Sequence, residues 1–450
     1  MQMKKIEKRE AKKQDRGIVD FMMVTNHFFH KLGDWISQME DPRNPSYITY
    51  SQADLNYMAI LKNICGQHSM REMEENFNKG TCIDTLRILS GHRTLEEMPH
   101  YDTLNYYLER LPPECLSELR RKMVTSLIRG KQFNKNRLLG KYWRVILDGT
   151  GLSCFKEKHC GNCLCTERLT EDGQKERLYY HKVLEAKIVL GDSIVVSLGT
   201  EFIENEKEDA GKQDCETNAA KRLMERIKKE YPRLPVCIQG DALYATEPMM
   251  KLCRECHWEY LFTQKDTRQK LLDEGFEWIK SGGVKKVGGL CEEKGTGCYA
   301  NHVEEVAGKK EVMNVFEYEY EKENKKGKKY GARFRWTSSL ELTEKNLAEM
   351  IEAARGRWKI ENEGFNNQKN GIYRIEHLNS RNSNAMKNHY LLTQISDILM
   401  QLYLAWNPYI KKLKQTVKNT SSGLLESFRG LTVTAEDVSY IFRYTTVYLE

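Results

Sequence analysis

Apolar residues in the first 140 positions recur at three- and four-residue intervals, the period of helices that bury one face. TYSQADLNYMAILKNIC is the plainest case. Ser69-Met70-Arg71-Glu72 before EMEENF, and Thr94-Leu95-Glu96-Glu97, match the capping-box pattern of a helix start. Asp102 stands where it caps TLNYYLERL, which Pro112-Pro113 stop. From about residue 142 the pattern changes to short apolar runs. YWRVILD, YYHKVLEAKIVL and SIVVSLGTEFI read as strands, the last two separated by the turn pair Gly191-Asp192. A helix, QDCETNAAKRLMERIKKEY, leads to the run LPVCIQGD. A second, TEPMMKLCRECH with Pro248 near its start, leads to WEYLFTQK. Three strands followed by helix, strand, helix, strand make a mixed α/β order.

Residues 266–332 break that rhythm with Gly- and Lys-rich sequence and strand-like pieces such as NVFEYEYE, and read as a β-rich insertion. RFRWTSSL resumes the sheet, and Thr343 caps a long helix, EKNLAEMIEAARGRWKIENEGFNNQKN. The most apolar stretch, 388–410, has helical period but carries Asn388, His389, Gln394, Asp397 and Gln401, so it reads as an amphipathic core helix. The expected segments are a helical N-terminal DNA-binding region (1–140), whose short helices would also suit a plain bundle, the first part of the α/β core (141–265), the insertion (266–332), the second part of the core (333–405) and a C-terminal helical region (406–450).

At 450 residues the chain exceeds what one core usually serves, and 40% hydrophobic with 30% charged residues supports a folded interior. Mean hydropathy of −0.67 excludes a polytopic membrane protein. The N-terminal MQMKKIEKREAKKQDRG lacks an apolar signal region, so the expected setting is cytoplasmic, with the 13 cysteines reduced. Net charge is +7, but residues 120–147 alone hold nine basic residues and no acidic one. Arg120, Arg121, Lys122, Arg129 and Lys131 open that tract. A second run holds Lys325, Lys326, Lys328 and Lys329, with Tyr330, Phe334 and Trp336 interleaved or following. Basic charge releases counterions from phosphates and aromatic rings stack on bases, so both runs are candidate DNA contacts.

Asp148 and Asp241 each end an apolar strand run, followed by small residues: Gly149 and Thr150, and Ala242. Strand ends are where α/β sheets build sites, and two neighbouring carboxylates can share a hard divalent cation. A third carboxylate is sought on the long helix, at Glu361 or Glu363. At about 100° per residue these lie about 200° apart, whereas Arg357, Glu361 and Gln368 or Lys369 share one stripe, which favours Glu361. Taken alone, Arg357 and Glu361 are an ordinary i, i+4 pair. Three carboxylates, two metal ions and a basic surface together point to phosphodiester chemistry, with Arg357 and Lys369 placed to orient the phosphate.

VILDGTGL, KQDCETNAAKRL, RLPVCIQGDALY and GRWKIENEGFNNQKN together resemble the DDE transposases of bacterial insertion sequences, in the branch with a β-rich insertion before the catalytic Glu. The resemblance spans roughly residues 95–405. It implies an RNase H-like core with Asp148, Asp241 and Glu361 as ligands of two Mg²⁺ (or Mn²⁺) ions. It also implies double-stranded DNA as partner (element ends and target), cleavage at terminal repeats, joining of the 3′-hydroxyl to target DNA, and in many members a hairpin intermediate. Because two ends must be cut together, a homodimer on DNA is expected. The family pattern around the Glu is Tyr-x2-Arg-x3-Glu-x6-Lys. Here Ala354 stands at the Tyr position, Arg357 and Glu361 fit, Gln368 stands at the Lys position and Lys369 follows one residue late. These departures bear on the hairpin step and leave the carboxylates untouched.

His159, Cys160, Cys163 and Cys165 form HCGNCLC, and Cys160-x2-Cys163 is a zinc half-site that His181, or Cys253 with Cys256, could complete. With no second loop-borne Cys-x2-Cys, reduced thiols are the favoured reading. Trp278 and Trp336 could stack on a base, although a strand Trp is more often core. Two rival functions are an RNase H-fold nuclease that cuts without joining, and a catalytically inactive relative that only binds DNA.

Overall fold

The computed structural model describes residues 16–158, 160–170, 172–205, 213–265, 270–304, 312–323, 329–406, 410 and 415–443. Its N-terminal part is helical: α1 (Ile18–Phe28), α2 (Leu32–Ser37), α3 (Gln52–Ile64), α4 (Met70–Phe77), α5 (Gly80–Ser90), α6 (Tyr101–Arg110) and α7 (Pro113–Arg129). Ser51 and Asp54 form a full capping box at the start of α3, every residue of which is buried. Ser69 caps α4 by accepting from the Glu72 N–H at 3.0 Å. Thr94 starts no helix. Its segment is a turn, Glu97 accepts from Tyr50 instead, and α6 begins with His100 as its cap in place of Asp102.

The core sheet starts with β1 (Trp143–Phe155), β2 (Leu164–Leu169), β3 (Lys175–Val189) and β4 (Val195–Ile203). α8 (Glu216–Glu230), β5 (Val236–Gly240), α9 (Glu247–Glu255) and β6 (Glu259–Thr263) follow. β1 runs antiparallel to β3 and parallel to β5, and β5 runs parallel to β6. On its other edge β3 pairs with β2 along Lys175–Tyr180 and with β4 along Lys182–Val189. The order β4-β3-β1-β5-β6, three antiparallel strands and then two parallel ones reached through helices, is consistent with an RNase H-like core. The strand run from Trp143 continues well past Asp148, so that residue sits within a long strand and not at its end.

Residues 266–332 do not interrupt the sheet; they extend it. After α10 (Lys270–Ser281), strands β7 (Lys286–Leu290), β8 (Gly295–Glu304), β9 (Val312–Glu323) and β10 (Lys329–Ser338) add in the order β6-β10-β9-β8-β7. Residue 332 therefore lies inside a strand.

The long helix is broken into pieces. α11 (Leu347–Arg355) gives way to a 3₁₀ turn (Gly356–Trp358), a π turn (Ile360–Phe365) and α12 (Asn366–Asn370). Asn346 directly precedes α11, and Thr343 caps the turn that leads into it: its hydroxyl accepts from the Asn346 N–H at 3.3 Å and its own N–H donates to Asn346 Oδ1 at 2.8 Å. Ile360 and Phe365 bury against Ile146, Val189 and Val195, which fixes the π turn on the sheet. Each such side chain contributes about 1.5–3 kcal/mol. The Gln239 amide donates to the Ala353 carbonyl at 2.9 Å, tying α11 to β5.

α13 (Ser383–Trp406) is buried on nearly every face and so is a central helix, not an amphipathic one. Its polar residues are spent inside. Asn388 donates to the Leu108 and Leu111 carbonyls, and Gln401 pairs with the β4 backbone at Val195. α14 (Val417–Gly430) and α15 (Ala435–Phe442) return to the N-terminal helices, where Phe77 and Phe428 meet edge-to-face at 4.9 Å. Among the described residues no helix is long and apolar enough to cross a membrane.

Candidate functional site

The β1–β5 register pairs Trp143 with Val236 and Ile146 with Gln239. Continued two residues, it sets Asp148 opposite Asp241, just past the end of β5. Neighbouring strands are about 4.8 Å apart, so a register continued in this way would bring the two backbones, and residues on the same face of them, close to each other. Each carboxylate is held by a nearby backbone N–H: Asp148 Oδ1 accepts from the Gly149 N–H at 2.9 Å, and Asp241 Oδ1 accepts from the Leu243 N–H at 2.8 Å.

The third carboxylate arrives from the broken helix. Arg357 Nη1 lies 4.0 Å from Asp148 Oδ2 and 3.5 Å from Glu361 Oε1, and so bridges the two. The Arg357 side chain is 12% exposed and that of Glu361 46%. Burial pushes the Asp148 carboxyl up to about 6. Arg357 opposes that rise, and Glu361 and Glu216 add to it. The Glu363 side chain lies outside the described residues.

A fourth carboxylate, Glu216 at the start of α8, went unassigned in the sequence although the motif KQDCET contains it. Its carboxyl group lies against Gly149, where a Cβ would come within 2.6 Å of it. Lys182 pairs with it, and the Tyr244 hydroxyl donates to it at 3.3 Å. Burial, with Glu216 next, pushes the Tyr244 phenol far up. Gly149 is the signal that could have pointed to Glu216: a glycine directly after a site Asp leaves room for a partner from the other face.

Other predicted residues fall elsewhere. Lys369 pairs with Glu376 at 2.8 Å; the cations beside the carboxylates described above are Arg357 and, at Glu216, Lys182. Gln368 is fully buried and donates to Gln394 and Asp397. Arg120 is 3% exposed and is not a DNA contact: it donates to Ser197 and Thr200 beside the buried Glu185. Arg121 is paired with Glu118 and Lys122 is half-buried, whereas Arg129 and Lys131 are exposed. Lys325, Lys326 and Lys328 lie outside the described residues, as does the side chain of Lys329. Trp336 is 3% exposed and packs on Phe316 and Phe334 at 5.2 and 5.7 Å, so it belongs to the core. Arg333 and Arg335 on the same strand are held by Glu277 and Glu317. Trp278, in contrast, is 78% exposed.

The carboxylates offer hard oxygen donors, and burial raises the cost of ionising Asp148, which a divalent cation would offset. The donor set thus fits Mg²⁺ or Mn²⁺. Among the described residues, the group of metal-ligating side chains gathered within 4.8 Å of one another is a different one, Cys160, Cys163 and His181. Cys253 and Cys256 pack in the hydrophobic core instead.

Asp148 in β1, Arg357 and Glu361 from the broken helix, and Asp241 just past β5 are the carboxylates and cation that the RNase H-like scaffold offers at this place. The chain belongs to the family described as "Transposase DDE domain", whose model matches residues 139–396. Among solved structures it is similar to a piggyBac transposase, in a cryo-EM structure of its synaptic complex with hairpin DNA. Identity is 12% and the TM-score 0.40, over 94% of this chain and 80% of that one. No curated protein matches it.

Proposed function

We propose that the chain is a DNA transposase that binds the ends of a mobile element and catalyses metal-dependent cleavage and strand transfer. The observation that supports this reading is Arg357 lying between Glu361 and Asp148, the latter on a strand whose parallel pairing with β5 runs toward Asp241. Asp148, Asp241 and Glu361 would hold two divalent cations, which when bound activate water or a DNA 3′-hydroxyl and stabilise the leaving oxygen. The backbone N–H bonds to Asp148 and Asp241 fix the rotation of each carboxylate and leave the second oxygen for a ligand. Arg357 offers guanidinium donors that suit a phosphate, the role expected of it together with Lys369. The exposed Arg129 and Lys131, with the lysines of 325–329, remain the basic DNA contacts. Coordinated cutting of two ends calls for a homodimer on DNA.

The test is Mg²⁺-dependent cleavage of a plasmid carrying the DNA that flanks the gene. Asp148→Ala, Asp241→Ala and Glu361→Ala should each lower cleavage by on the order of 10²-fold or more and leave end binding largely intact, with Glu363→Ala milder. Activity surviving Glu361→Ala but lost in Glu363→Ala would move the third ligand. Cuts without joined products would make the chain a nuclease. Binding to the ends without any cutting would make it a DNA-binding relative.

A further inference from the structure

β1 ends at Phe155, and the polar, exposed turn that follows has no core of its own until Cys163 and Leu164 bury at the start of β2. At that point three donor atoms converge. Cys160 Sγ and Cys163 Sγ are 3.3 Å apart, and each lies 3.4 Å from His181 Nε2. Cys163 and His181 are 3% and 2% exposed. The three atoms make a nearly equilateral triangle. Ligands at about 2.3 Å (sulfur) and about 2.0–2.1 Å (imidazole nitrogen) from a tetrahedral zinc are separated by roughly 3.3–3.8 Å, so this triangle is close to one face of such a site.

We propose that Cys160, Cys163 and His181 bind a structural zinc ion. Two thiolates and an imidazole are the soft-to-borderline donors that zinc takes, unlike the hard carboxylates around Asp148. Binding replaces the two thiol protons, which leave to solvent, with two S–Zn bonds. The fourth corner of the tetrahedron is left to solvent. A Cys160–Cys163 disulfide is the rival, but it would need the sulfurs at about 2.05 Å and would give His181 no role.

The ion would do for this turn what a core does elsewhere. It fastens the β1–β2 connection to β3 at the residue next to Lys182, which faces Gly151 of β1 and pairs with Glu216. It would thereby hold β3 against β1 where Asp148 emerges.

The full-length chain, purified without metal-affinity resin or added zinc, should carry about one zinc per molecule by plasma mass spectrometry. Cys163→Ser and His181→Ala should bring zinc to background. Cys165→Ser and Asp241→Ala should retain it, which separates this site from the carboxylates. The X-ray absorption edge of the wild-type protein should fit two sulfurs and at least one nitrogen, a result that holds even if a variant fails to fold. A zinc-free wild type with Cys160 and Cys163 joined in its peptide map would overturn the proposal. So would zinc content unchanged by both Cys163→Ser and His181→Ala.

Discussion

Asp148 is the residue whose chemistry the fold alters most. Its carboxyl is raised from the ordinary value of 3.8 to about 6, chiefly by burial. The native state therefore holds this proton more tightly than the unfolded chain does. The favourable contribution is complete below about pH 4, is lost as pH rises to about 6, and stays lost above that. In chelator at pH 7.5, Asp148→Asn should stabilise the chain by on the order of 1–3 kcal/mol in urea unfolding, and at pH 4 the gain should vanish. Destabilisation at pH 7.5 would mean that Asp148 has a stronger partner than Arg357. In sequence the residue stood out as a charge closing an apolar run, although the strand itself continues to Phe155. Its neighbour Glu216 was only half legible: Gly149 signals room for a partner, but nothing local shows that α8 supplies it.

At the level of elements, alternation along β10 separates two kinds of side chain that the linear sequence interleaves. Phe334 and Trp336 stack with their ring planes 12° apart, while Arg333 and Arg335 reach Glu277 and Glu317. A basic run mixed with aromatics looked like a nucleic-acid surface, and period-two geometry turns part of it into core and part into ion pairs. Trp336→Ala should cost about 3–5 kcal/mol in thermal or urea unfolding. Trp278→Ala, at the exposed position, should stay within about 0.5 kcal/mol. Equal effects of the two would contradict this division. The β3–β4 hairpin was legible because Gly191-Asp192 marks it. The extension of the sheet through the insertion was not, since strand pairing across the chain leaves no local trace.

On the scale of the molecule, the two ends of the chain build one helical layer. Asn26 donates to the Ile441 carbonyl, Thr81 to that of Arg429 and Ser421 to that of Ile64. Asn63 on α3 reaches Ser396 on α13. Phe428→Ala should therefore lower stability by about 3–5 kcal/mol and shift the melting of the N-terminal helices with it, read as faster amide exchange in α3 and α4. Faster exchange confined to α14 would show the layer to be two independent parts. The sequence predicted helices at both ends but held no sign that they join, since contacts across some 350 positions have no periodic signature. Lys187, fully buried 3.7 Å from Asp397, shows the same limit: in sequence it is one more lysine on a strand.

The π turn also bears on how the chain is counted. Asn366 N–H bonds back five residues to the Glu361 carbonyl, so this turn stores about one residue more than an α-helix would. At roughly 82° per residue through the π turn and 100° beyond it, Lys369 comes within about 10° of the angle of Glu361, and Gln368 swings about 110° away. The burial of Gln368 agrees with that rotation. A lysine one place late in the linear spacing is therefore on time in angle. Counting residues across 360–365 as if they formed an α-helix would put the interior Gln368 at the angle that Lys369 holds. The helix has to be matched by phase.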